Sequence, residues 1–127
     1  RQILNFGHTF AHAFEATKKY SKKLNHGEAV LLGIICALNF SLQNNNIKKN
    51  DYQKIINHYK KLNLPMSIKK FYLKKNIKKI ISFMKKDKKN NTNKINLVLL
   101  KKIGKVSYKY KFNEKKIYKF FFNELIN

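Results

Sequence analysis

Asn25-His26-Gly27-Glu28, followed by Ala29-Val30-Leu31-Leu32-Gly33-Ile34-Ile35-Cys36-Ala37-Leu38, is the stretch that decides the fold. Asparagine is a strong N-cap, because its side-chain oxygen accepts from the free N–H groups of the first helical turn, and a glutamate three residues later completes a capping box. The helix started by this box runs to about Leu42 and places His26 in its first turn. Being apolar nearly all round from Ala29 to Leu38, it predicts a central, buried helix rather than one lying on a surface. That run is far short of the ~20 residues that span a bilayer. No signal peptide opens the chain, so a cytoplasmic protein with no membrane partner is expected.

The neighbouring segments read as further helices packed around this one. Phe10, Ala13, Phe14 and Thr17 recur at helical spacing within residues 8 to 20. Ile55, Ile56, Tyr59 and Leu62 mark a face of a helix from about Asp51 to Leu62, and the only proline, Pro65, blocks its continuation. Another helix follows from Ile77 through Ile80, Ile81 and Met84. Two short strands are expected at 95–100 and 106–110, punctuated by Gly104, before a last helix from Glu114 to Leu125 behind Asn113. The expectation is a single domain over 1–127, mainly α, with one small β-hairpin. A chain of 127 residues builds one core and little more.

The formal charge of +23 invites a nucleic-acid reading. The distribution argues against it. Arg1 is the only arginine, although arginine is the preferred residue for bidentate phosphate and base contacts. The lysines are scattered through every segment beside runs such as Asn44-Asn45-Asn46, which fits the codon bias of an AT-rich genome better than a selected basic patch. No specific nucleic-acid partner is expected. Cys36, the single cysteine, has no internal disulfide partner and reads as a buried small hydrophobe.

Chemistry concentrates near the start. His8, His12 and His26 are three of the four histidines, and Glu15 and Glu28 lie close by. On a helix His8 and His12 share a face with Cβ atoms ~5–6 Å apart, near enough to converge on one metal or one substrate. An arbitrary pair at this spacing is more often a surface or core feature. His26 meets His8 if the two helices form an antiparallel hairpin; otherwise it faces solvent. Glu28 is explained by capping and Glu15 by pairing with Lys18 or Lys19. His58, alone among lysines, reads as structural or exposed.

The stretch Arg1-x-x-Leu4-Asn5-Phe6-Gly7-His8-Thr9-Phe10-Ala11-His12-Ala13-Phe14-Glu15, with His26-Gly27-Glu28-Ala29-Val30, resembles the signature of 3-dehydroquinate synthases. Met84-Lys85-Lys86-Asp87-Lys88-Lys89, followed by Leu97-Val98-Leu99-Leu100 and Ile103-Gly104, is similar to that family's Asp-Lys-Lys segment and the strand after it. The resemblance implies the helical C-terminal domain of a two-domain enzyme whose Rossmann-like, NAD-binding N-terminal half is absent from this chain. The opening on Arg1 without an initiator methionine fits such a piece. It further implies zinc, or cobalt in its place, held by His8 and His26 with a carboxylate ligand from upstream. His12 becomes a substrate-site residue near the phosphate, available for proton transfer. Arg1, Asn5 and either Lys88 or Lys89 become contacts to the anionic substrate.

The implied reaction converts 3-deoxy-D-arabino-heptulosonate 7-phosphate to 3-dehydroquinate and phosphate, in the shikimate route to aromatic amino acids. NAD takes a hydride from the substrate carbinol, which acidifies the neighbouring C–H and permits phosphate elimination. The ketone is reduced again, the ring opens, and an aldol step closes the carbocycle. A homodimer is implied for the full-length protein, and the fragment alone is expected to be inactive. A related sugar phosphate cyclase or polyol dehydrogenase is the alternative. One departure stands out: Ala11 occupies a position where the family usually has glycine, and its methyl group could crowd a close helix approach.

Overall fold

A computed structural model describes residues 6–19, 23–44, 47–86, 94–102 and 105–126. The helices are α1 (His8–Thr17), α2 (His26–Gln43), α3 (Lys49–Lys61), α4 (Ile77–Lys86) and α5 (Glu114–Ile126), with strands β1 (Lys94–Lys102) and β2 (Lys105–Asn113) between α4 and α5. The mainly helical architecture with one hairpin is as the sequence pattern predicts.

The capping box forms as read. The Asn25 side chain accepts from the Glu28 N–H at 2.7 Å, and the Glu28 carboxylate accepts from the Asn25 N–H at 3.1 Å. From there α2 runs through the middle of the fold, burying Ala29, Leu32, Gly33, Ile35, Cys36, Ala37, Leu38, Phe40 and Ser41. At 18 residues it is longer than its apolar run, and it is long and apolar enough by composition to cross a membrane. Here its buried residues pack instead against α1, α3 and β1. Burial also pushes the Cys36 thiol well up from its ordinary range.

Two glycines set how closely α1 and α2 approach. A Cβ built on Gly33 would stand 2.5 Å from the Gly7 carbonyl oxygen and 2.9 Å from both the Ala11 nitrogen and the Ala11 Cβ. Gly7 has φ +79°, a left-handed conformation that side chains rarely adopt. The Ala11 methyl is therefore accommodated because residue 33 has no side chain opposite it. Since residues 7 and 11 meet residue 33 while Glu15 meets His26, the two helices run antiparallel, as the hairpin expectation requires.

Aromatic rings fasten α5 and the hairpin onto this pair. Phe10 packs against Phe120 and Phe121, with ring centroids 5.8 and 5.7 Å apart, and Phe40 against Phe112 at 4.7 Å. The strands are antiparallel with Ile95 opposite Phe112 and Leu97 opposite Tyr110, and bulges follow Val98 and Leu100. They are longer than the sequence pattern suggests. In α4, Ile77, Ile80, Ile81 and Met84 are buried, as their i, i+3, i+4, i+7 spacing requires.

Three details of the sequence reading are corrected. The first helix ends at Thr17, not at residue 20, because Lys19 turns left-handed at φ 54° and bonds back to the Ala16 carbonyl. The third helix starts at Lys49, two residues earlier than read, and ends at Lys61, one residue earlier than read; Asn63, with φ 54°, reverses the chain before Pro65. Leu62 is accordingly 53% exposed and no part of the apolar face.

Candidate functional site

α1 carries His8 as its first residue and His12 one turn later. Both side chains are exposed, and their rings lie 4.2 Å apart between centroids, tilted by 44°. The opposite face explains this placement. Phe10, Ala13 and Phe14 are held in the core, and the Phe14 carbonyl also accepts a 2.6 Å hydrogen bond from the Tyr72 hydroxyl. With the apolar face fixed inward, the imidazole pair is fixed outward.

His26 begins α2 with 73% of its side chain exposed, and its Nδ1 lies 3.0 Å from the Glu15 carboxylate, which is only 11% exposed. Helical spacing alone offers Glu15 Lys18 or Lys19 as a partner. The fold turns it toward α2 instead, while the Lys18 ammonium sits 4.8 Å over the Tyr72 ring. An i, i+3 pairing rule cannot see a partner eleven residues away, so Glu15 is the site residue that sequence reasoning missed. Glu28 is taken up by its capping bond.

The structure thus brings together two pairs, His8 with His12 and His26 with Glu15. Among the described residues no hydrogen bond or ring contact links one pair to the other, so the antiparallel hairpin forms without bringing His26 onto His8 as the sequence reading expects. Glu15 lies seven residues beyond His8, roughly 10 Å along the helix axis. No three His, Cys, Asp or Glu side chains gather into a metal-binding group among the described residues. Arg1, Asn5, Lys88 and Lys89 lie outside the described residues, as does Gly104. His58 is exposed, as read.

The fold is similar to part of 2-deoxy-scyllo-inosose synthase: a crystal structure of that enzyme, complexed with carbaglucose-6-phosphate, NAD+ and Co2+, matches over 95% of this chain and 33% of that one, with a TM-score of 0.70 and 24% identity. A second structure of the same synthase matches with a TM-score of 0.66 and 20% identity.

Residues 1–90 match the family 3-dehydroquinate synthase C-terminal, and the chain belongs to that family. The 3-dehydroquinate synthase of Pelagibacter ubique is 61% identical over 125 residues, covering 98% of this chain and 34% of that protein. That of Zymomonas mobilis is 41% identical over 105 residues, covering 83% of this chain and 28% of its own length. The chain therefore spans about a third of the length of these relatives.

Proposed function

We propose that this chain is the metal- and substrate-binding part of a 3-dehydroquinate synthase, acting with an NAD-binding N-terminal half in a homodimeric cytoplasmic enzyme. The observation that carries the reading is the exposed histidine set on the α1–α2 hairpin of a chain that shares 61% identity with such a synthase.

The donor chemistry fits zinc or cobalt. His26 is an exposed imidazole with a carboxylate behind its Nδ1, the usual surroundings of a metal-ligating histidine. His8 supplies a second exposed imidazole, and a carboxylate from the upstream half supplies the third ligand. When bound, the metal polarises substrate oxygens while NAD takes up and returns the hydride.

The remaining work falls to side chains of this chain. His12, one turn from His8 and also exposed, accepts and donates a proton beside the phosphate in this reading. Arg1, Asn5 and Lys88 or Lys89 hold the carboxylate and phosphate through charge-assisted bonds. Without the NAD-binding half and the third ligand, residues 1–127 alone are inactive.

The test is phosphate release from the heptulosonate phosphate by the full-length protein with NAD and zinc, beside a His8→Ala, His26→Ala double variant. Zinc-dependent turnover in the wild type, reduced at least ~100-fold in the variant, or about 2.7 kcal/mol of barrier, is expected. A folded, metal-loaded wild type that releases no phosphate refutes the assignment. The fold shared with 2-deoxy-scyllo-inosose synthase favours a related sugar phosphate cyclase as the second reading, distinguished by its product.

A further inference from the structure

We infer that Glu15 is a positioning residue that fixes the tautomer and orientation of the His26 imidazole. The inference rests on the reading of His26 as a zinc ligand. It starts from the 3.0 Å contact between His26 Nδ1 and Glu15 Oε2. An ionised carboxylate only accepts hydrogen bonds, so Nδ1 carries the proton. The neutral ring then keeps its lone pair on Nε2, which is the form in which imidazole binds a metal.

The distribution of burial supports orientation rather than a surface ion pair. An exposed pair of long side chains contributes little because both partners move. Here one partner is held and the other presented, since Glu15 is 11% exposed and His26 is 73% exposed. Each sits on an anchored element. Glu15 follows Phe14, whose ring is fully buried and packs against Tyr72 at 5.4 Å. His26 follows Asn25, whose capping box pins the first turn of α2. Lys18, one of the two lysines that helical spacing offers to Glu15, holds its ammonium over the Tyr72 ring instead. Glu28, the other carboxylate nearby, is committed to the cap.

The experiment measures zinc affinity by chelator competition in the full-length protein, for wild type, Glu15→Leu, Glu15→Gln and His26→Ala. Leucine fills the space without an acceptor, and glutamine keeps an acceptor oxygen at the same reach. Glu15→Leu is expected to weaken zinc binding about 10- to 100-fold, the range for outer partners of metal ligands, and Glu15→Gln to recover most of that loss.

Glu15→Leu binding as tightly as wild type overturns the inference, and so does Glu15→Gln binding as weakly as Glu15→Leu. A wild type that binds no zinc, or binds it equally well as His26→Ala, refutes the zinc reading itself and the inference with it. Should Glu15→Leu fail to fold, the nitrogen NMR spectrum of histidine-labelled wild type decides the matter. His26 as the Nδ1–H tautomer is expected, and the Nε2–H tautomer overturns the inference.

Discussion

Two carboxylates face α2 from opposite ends, and they are held differently. At the N-terminal end Glu15 meets the His26 imidazole, a partner that is itself largely exposed. Toward the C-terminal end Glu124 of α5 accepts from the Asn39 amide at 3.0 Å, and the other side of that amide accepts from the Tyr52 hydroxyl at 2.7 Å. Burial pushes the Glu124 carboxyl up from its usual range, and the Asn39 bond only partly opposes that shift. The same residue type thus serves two ends of one helix: at one it orients a ring toward solvent, and at the other it ties three helices together through a neutral amide. What separates them is the partner, since an imidazole can present a second nitrogen to a ligand and an amide cannot.

Between the two ends lies the glycine contact, and breaking it should have the largest effect on stability. Gly33→Ala places a methyl group 2.5 Å from a backbone oxygen, so α1 and α2 must separate. A loss of about 1–3 kcal/mol, as for other overpacked cores, is expected in urea unfolding of the full-length protein. An unchanged midpoint would mean that the contact does not fix the register on which both carboxylate sites depend.

At the N-terminal end, Asn25→Ala removes the cap that pins His26. Stability should fall by about 1 kcal/mol, and zinc affinity should fall with it. A stability loss with zinc affinity intact would separate the cap from the site.

The smallest effect is expected at the other end. A carboxyl whose folded pKa is raised favours the fold fully below its unfolded pKa, and loses that contribution as pH rises through the folded value. Glu124→Gln keeps an acceptor for Asn39 but no longer ionises, so it should stabilise the protein at neutral pH, by at most about 1 kcal/mol. The advantage over wild type should shrink as pH falls into and below the ordinary carboxylate range. Thermal melts of both proteins across that range read the difference directly, and a pH-independent gap would place the effect in packing instead.

By itself the sequence determined the start of α2, because Asn25 and Glu28 act on N–H groups within the same turn and need nothing distant. It likewise determined that His8 and His12 share a face of α1, and the buried face of α4, since both depend only on helical periodicity. The resemblance over Arg1 to Glu15 and His26 to Val30 added the family, with roles that no spacing rule would give. Only the tertiary structure decided what crosses from one helix to another. Glu15 looked like a partner for Lys18, and became the partner of His26 when the hairpin closed. Gly33 looked like one more residue of an apolar run, and proved to be where two backbones touch and where the Ala11 methyl finds its space. Local hydrogen bonds and periodicity are written in neighbouring residues, whereas a close approach between helices depends on which faces the whole core brings together.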